Sequence, residues 1–404
     1  MKLNDLSVVV YLMFMVVTVM SFNSCHEVKG LGINHDPNAL VWKPVDTVFN
    51  KMWENQITEN IDKYQCPGMA IAVIKDNQII FEKEYGVRSI QNEASIDLNT
   101  LFRIGSLSKG FAGILAAKLI EKNKFKLDDP VSMYIPEFTV KAKNKDGIMR
   151  IQHILSHTSG FTEHAFSNLV DENVNREVMI RYLDNLVPKD STGKVYAYQN
   201  VAFSLIEKVI EKVTGMTYTE ALDSYILSPL NMCNTSCTYE SMESVANRCE
   251  GHGYTRYGYA SKELGRQYYN IPSAGGINAP LKDMEKWLSA VMGNNPDVIS
   301  KEAQNIAFSS YANTSYDRKF WNKKSDVSHT NYGLGWRLIT TPQNQLVYHG
   351  GLVNGFRAEI AFDQKTKTGI VVLFNSVCNY SNRIVFDFYD LWNNYHNDNQ
   401  EIYL

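Results

Sequence analysis

Ser106 and Lys109, in Phe102-Arg-Ile-Gly-Ser-Leu-Ser-Lys109, are a hydroxyl and an amine that a helix would set on one face. The chemistry open to such a pair is nucleophilic. The amine takes the hydroxyl proton, and the serine oxygen attacks an acyl carbon. Phe111, Ile114, Leu115, Leu119 and Ile120 follow at helical spacing, so Ser106 reads as the opening of a helix. At a helix opening the backbone N–H groups lack intrahelical partners, and the dipole favours negative charge on a nearby acyl oxygen. The pattern has a rival in Ser191-Thr-Gly-Lys194, but Pro188 and Gly193 mark that copy as a loop.

A serine hydrolase also needs a proton shuttle, groups that hold the substrate amide, and donors for an oxyanion. Tyr198-Gln-Asn200 offers a phenol, which ionises more easily beside positive charge, and an amide that both donates and accepts. The same Y-x-N recurs at Tyr268-Tyr-Asn270, Tyr311-Ala-Asn313 and Tyr380-Ser-Asn382. A third element has two claimants. Lys367-Thr-Gly369 falls between two strand patterns, where a turn belongs. His349-Gly-Gly351 begins an apolar stretch, with glycines that admit a ligand close to the backbone. His153 and His157 are spaced to share a helix face but lack the Glu of the HExxH zinc motif. They read as buried or capping histidines. No metal and no cofactor are expected.

The elements that must position these groups follow from periodicity. Met69–Ile74 and Ile79–Tyr85 read as a hairpin, and Ala358–Phe362 and Ile370–Phe374 as a second. Helical patterns lie between them, among them Val201–Thr214 with Gly215 as its stop. The expected fold is α/β (α+β). An antiparallel sheet formed by N- and C-terminal segments is flanked by helices, with a mostly helical inserted subdomain at about 125–330. The chain has 404 residues, 44% hydrophobic and 21% charged, which is ample for a large core. A net charge of −3 shows no basic surplus, and no phosphate-binding glycine loop is present, so nucleic acid is not an expected partner.

Lys2 and the apolar run Leu6–Met20 read as an export signal over residues 1–24. Ser24-Cys25 resembles the end of a bacterial lipoprotein signal. Cys25 is then the lipidated first residue of a tether over residues 25–44, ahead of a domain over residues 45–404, and a membrane is a partner through that anchor. The alternative is a cleaved signal with an incidental cysteine. Localisation at the cell envelope, facing periplasm or exterior, is the expectation. Cys66, Cys233, Cys237, Cys249 and Cys378 remain, an odd number, so at least one stays outside an intrachain disulfide.

In order along residues 67–375, the strings "FRIGSLSK", "LDDPVSMYIPEF", "ILSHTSGF", "YQNVAFSLIEKVIEKVTG", "SPLNMCNTS", "SAGGINAPLKDMEKW", "YGLGW" and "HGGLVNGF" resemble the class C β-lactamase and DD-peptidase family of serine hydrolases. The resemblance selects Ser106 over Ser191, Tyr198 over the other tyrosines, and His349-Gly-Gly351 over Lys367-Thr-Gly369. It implies Ser106 as nucleophile, Lys109 as its proton partner and Tyr198 as general base and acid. Asn200 then binds the substrate amide, and His349 and Gly351 edge the substrate. The backbone N–H groups of Ser106 and Leu352 form the oxyanion hole. The chain departs from the β-lactamase pattern where His349 stands for a lysine. That places peptidases and esterases beside β-lactamases as expected activities. It also leaves Tyr198 without a second nearby positive charge, so activity is expected to climb towards alkaline pH. The expected function is a cell-envelope serine hydrolase that cleaves a β-lactam, a D-amino-acid peptide or a small ester through acyl-Ser106. The alternative is a penicillin-binding sensor that is acylated but turns over poorly.

Overall fold

The computed structural model describes residues 40–43, 46–140, 148–314 and 327–401, with 398–401 described by backbone alone. Cys25 and the whole export segment lie outside these residues.

The apolar runs become strands β1 (Val41–Trp42), β2 (Gly68–Lys75) and β3 (Gln78–Gly86), then β4 (Phe102–Arg103). They continue as β5 (Gly251–Thr255), β6 (Gly258–Lys262), β7 (Asn278–Ala279), β8 (Ala312–Asn313) and β9 (His329–Tyr332). The last are β10 (Arg337–Thr340), β11 (Gln345–Val353), β12 (Phe356–Asp363) and β13 (Thr368–Phe374). Nine of them form one sheet in the order β1-β3-β2-β13-β12-β11-β10-β9-β8. The two ends of the chain meet at its centre, where β2 pairs antiparallel with β13, Val371 opposite Ala72. Every residue of β13 is buried, as a strand covered on both faces requires. The sheet is mixed rather than wholly antiparallel, because β1 runs parallel to β3. Helix α1 (Thr47–Tyr64) separates β1 from the strands that follow, and such a crossover is what a parallel neighbour needs.

Beyond α1 come α2 (Ser108–Glu121), α3 (Ile151–Leu155), α4 (Asn200–Thr214), α5 (Pro272–Gly275), α6 (Leu281–Ser289) and α7 (Ile384–Glu401). One face of the sheet packs on α1 and α7, where the Phe49 and Trp392 rings meet edge-on at 5.0 Å. The other face packs on α2 and α6, with Phe111 stacked on Trp287 at 3.8 Å. The stretch between β4 and β9 is largely helical, although it carries the β5–β6 hairpin and the two-stranded β4–β7 pair. A disulfide joins Cys66, just before β2, to Cys378, just after β13, across a sequence separation of 312. Cys237 and Cys249 are buried thiols, and the exposed Cys233 thiol bonds Asn231.

Helix α2 is apolar almost all round, the mark of a helix inside a core rather than on a surface. Phe111, Ile114, Leu115 and Leu119 are all buried, and each contributes about 2 kcal/mol relative to exposure. Together they exceed the several kcal/mol that burying an ammonium costs, so the helix carries Lys109 into the interior with it.

Candidate active site

Gly105–Leu107 forms a 3-10 turn and α2 begins at Ser108, so Ser106 lies one turn ahead of the α-helix rather than at its first residue. The Ser108 hydroxyl fixes that turn by donating to the Gly105 carbonyl at 2.7 Å and accepting from the Ile277 N–H at 3.1 Å. Gly105 has φ +53°, and a Cβ there would lie 2.8 Å from Leu352 N. A Cβ on Gly351 would lie 3.0 Å from Ser106 N. Two glycines thus let the Ser106 turn and β11 meet backbone to backbone.

Lys109 is fully buried. Its Nζ donates to Asn200 Oδ1 at 2.7 Å and to the Ala274 carbonyl at 2.6 Å, and lies 3.3 Å from Ser106 Oγ. Burial, and then the Arg337 guanidinium, hold this amine well below the ordinary lysine range. In the neutral amine two N–H groups serve Asn200 and Ala274, which leaves the lone pair for the Ser106 hydroxyl.

Asn200 is the first residue of α4. The Gln199 side chain caps that helix by accepting from the N–H groups of Val201 and Ala202. The middle residue of Tyr198-Gln-Asn200 therefore aims its neighbours. Tyr198 is buried, its ring centroid 4.8 Å from Lys109 Nζ and 5.8 Å from the Arg337 guanidinium. Burial raises its phenol above the ordinary range, while a hydrogen bond with Ser106 and the charge of Arg337 oppose that rise.

His349 is buried on β11, with its ring 6.4 Å from that of Tyr198. Its Nδ1 lies 2.8 Å from the Gly350 carbonyl and its Nε2 2.9 Å from the Tyr332 hydroxyl. A carbonyl only accepts, so Nδ1 carries the proton and Nε2 accepts from Tyr332. Burial, then Arg337 and Lys109, push the imidazole well below its ordinary range, so it stays neutral. Gly350 faces the other side of the strand. A Cβ there would meet Arg357 Nη2 and Tyr348 Oη, each at 2.8 Å, so a threonine would have to displace the ends of those side chains.

The family model described as Beta-lactamase matches residues 49–384. The chain belongs to the beta-lactamase family. Protein flp of Staphylococcus aureus (strain MRSA252) is 25% identical over 339 residues, covering 81% of this chain and 63% of that protein. The unguisins hydrolase ungD' of Aspergillus campestris is 25% identical over 347 residues, covering 82% of this chain and 62% of that protein. The chain thus spans less than two thirds of the length of these relatives. The octameric penicillin-binding protein homologue from Pyrococcus abyssi superposes with a TM-score of 0.71 over 83% of this chain and 77% of that one. At 24% identity that likeness concerns the fold.

Within this beta-lactamase family chain, Ser106, Lys109, Tyr198, Asn200, His349, Gly351 and Leu352 come together in one place. The rival motifs separate from it to different degrees. Ser191–Lys194 forms an exposed turn, with the Lys194 N–H on the Ser191 carbonyl at 3.2 Å. Lys367 takes φ +51° in the turn between β12 and β13. Tyr380-Ser-Asn382 is a 3-10 turn under α7. Tyr311 and Asn313 line a cavity of about 460 Å³ that Tyr196 also borders. His153 lies within α3 and His157 beyond its end at φ +58°, so the two do not share a helix face. His153 accepts from the Arg150 N–H, and His157 is buried against the Tyr198 ring at 4.2 Å. Among the described residues no group of three or more His, Cys, Asp or Glu is placed to hold a metal ion.

The sequence reading missed three contributors. Arg337 brings the positive charge that His349 lacks, from the neighbouring strand β10 instead of from β11 itself. A lone arginine inside the apolar run Trp336–Ile339 was its signal. Tyr268, one of the rejected Y-x-N tyrosines, accepts from Asn200 Nδ2 at 3.2 Å. Glu207 is buried on α4 and accepts from the Ser273 N–H at 2.9 Å and hydroxyl at 2.6 Å, which anchors the turn that presents the Ala274 carbonyl to Lys109.

Proposed function

We propose that this chain is a cell-envelope serine hydrolase, of the class C and DD-peptidase group, that cleaves an amide or ester through an acyl-Ser106 intermediate. The observation that supports it best is the buried Lys109 amine 3.3 Å from Ser106 Oγ, with its other donors occupied by Asn200 and Ala274. On this reading neutral Lys109 accepts the Ser106 proton as Oγ attacks the carbonyl carbon. The oxyanion is held by the N–H groups of Ser106 and Leu352. Tyr198, protonated at rest and in contact with both Ser106 and Lys109, gives its proton to the leaving group and takes over the one Lys109 has accepted, so that both return to their neutral forms. Asn200 binds the acyl amide, and water then repeats the sequence on the ester. His349 is neutral, so D-amino-acid peptides and small esters suit the third motif better than a β-lactam, whose carboxylate seeks a fixed charge there.

The test is a panel of chromogenic esters, D-amino-acid p-nitroanilides and a cephalosporin, read by turnover and by intact-protein mass. The expected result is multiple turnover on at least one amide or ester, with a transient adduct mapped to Ser106. A stable Ser106 adduct without turnover would instead assign an acylated sensor. Absence of any adduct and any turnover would defeat both.

We further propose that Cys25 is lipidated after export and ties the domain to the membrane. Cys25→Ser is expected to move the protein from the membrane fraction to the soluble fraction or to stall its processing. Continued membrane association, with an unmodified N-terminus by mass spectrometry, would rule the anchor out.

A further inference from the structure

Tyr268 combines features that the mechanism above leaves unused. Its backbone has φ +68°, a left-handed conformation uncommon for a bulky residue and found where surrounding structure enforces it. The enforcement is visible on both sides. The buried Arg103 guanidinium donates to the carbonyls of Gly265 and Gln267 and stacks on the Tyr269 ring at 4.4 Å. The Tyr269 hydroxyl donates to Asn278 Oδ1 at 2.7 Å, and Asn270 Nδ2 donates to the Val174 carbonyl at 2.8 Å. Arg103 lies on β4, just ahead of the Ser106 turn, so one segment supports the nucleophile and aims Tyr268.

It aims that tyrosine at the amide-binding group. Lys109 holds Asn200 Oδ1, and the Asn200 Nδ2 donor points at the Tyr268 hydroxyl, 3.2 Å away. The ring packs over Gly275, where a Cβ would come within 2.7 Å of Tyr268 Cδ1, so the small residue beside Ala274 makes room for the tyrosine. Burial and Asp171 raise the phenol to about 12, so it remains a neutral hydroxyl around neutral pH. The side chain is only partly buried.

We propose that Tyr268 is a specificity-determining residue that occupies one of the two Asn200 Nδ2 N–H donors in the resting site and yields it to an acyl group carrying its own amide carbonyl. Substrates with such a carbonyl exchange one hydrogen bond for another, and substrates without it leave the Asn200–Tyr268 bond in place. The inference rests on the acyl-Ser106 reading.

The test compares two p-nitrophenyl esters, N-acetyl-D-alanyl and propanoyl, which differ only in the acyl amide. In Tyr268→Phe the donor is vacant in the resting enzyme. The ratio of kcat/KM for the amide-bearing ester over the plain one is expected to rise about fivefold, mainly through KM. Tyr268→Gly, which suits the positive φ and removes the ring as well, is expected to raise the same ratio and guards against a folding defect in the first variant. A ratio unchanged in both variants, or equal losses on both esters, overturns the proposal. Intact mass of the wild-type enzyme keeps the two readings apart. A Ser106 adduct with an unchanged ratio defeats only the role of Tyr268, and absence of the adduct defeats the hydrolase reading and this one with it.

Discussion

Ser106→Ala is expected to lower turnover by a factor on the order of 10⁵ while leaving the melting transition in place. The size follows from what is lost. Without the hydroxyl there is no covalent intermediate, and only binding and oxyanion stabilisation of a bulk-water attack remain. The fold has little reason to respond, because Ser106 sits in a turn whose geometry is held by Ser108 and by Gly105 against Leu352. Ser191→Ala is the internal control. Its residue lies on an exposed turn, so activity should stay within about twofold of the parent. The measurement is steady-state kinetics on the best substrate of the panel, with thermal melting of both variants. Equal losses in the two variants at unchanged melting would remove Ser106 from the nucleophile's role, as would an Ser106→Ala enzyme that still forms the adduct.

The second large effect concerns pH. On the proposed mechanism activity requires neutral Lys109, so the rate rises with pH through the folded-state pKa of that amine. Burial and then Arg337 set this pKa well below the usual lysine value, and the Tyr198 phenol titrates above it because burial raises it. Removing the guanidinium removes one of the two causes that depress Lys109, so its pKa must rise. Arg337→Gln is therefore expected to move the rising limb of kcat/KM about one pH unit towards alkaline pH. At a fixed pH on that limb the loss is about tenfold, and it is recovered by raising the pH. The same substitution raises Tyr198 further, in the same direction. Arg337→Lys should bring the limb back, since it restores charge if not shape. The competing view is that Arg337 only fills space among Tyr196, Tyr198 and Tyr332, whose ring centroids lie 6.0, 5.8 and 5.8 Å from it. That view predicts lower melting and lower rate at every pH with the limb unmoved, in which case the electrostatic role is gone.

Arg337 also corrects the expectation drawn from His349. A neutral histidine at the third motif suggested that Tyr198 had one positive charge beside it. The structure agrees that His349 is neutral, since burial, Arg337 and Lys109 all disfavour its protonated form. It places a guanidinium within reach of the same tyrosine from β10. Charge acts through space, so which strand it arrives on is a matter of sheet order, and sheet order is not written in any local window.

That contrast marks where the sequence alone sufficed. Ser106 and Lys109 are three residues apart, and their juxtaposition needs only one turn of helix, so periodicity was enough to see it. The turn character of Ser191–Lys194 and of Lys367 was equally local, because Pro, Gly and polar clusters encode turns over a few residues. The paired hairpins, and hence the sheet built from both ends of the chain, were legible from alternation and apolar runs. What needed tertiary structure was every choice that depends on two distant segments meeting. Tyr198 stands beside Lys109 because Gln199 caps α4 against the core, and nothing local separates it from Tyr311 or Tyr380. Tyr268 matched the right motif in a different sense, since it contributes a hydroxyl to Asn200 from a neighbouring loop pinned by Arg103. The Cys66–Cys378 pairing, the parallel β1 and the Glu207–Ser273 anchor join residues far apart in sequence. The amino-acid sequence determined the elements and the Ser106–Lys109 juxtaposition. The fold decided which titratable groups share a dehydrated space, because burial and distance, not spacing along the chain, set their protonation.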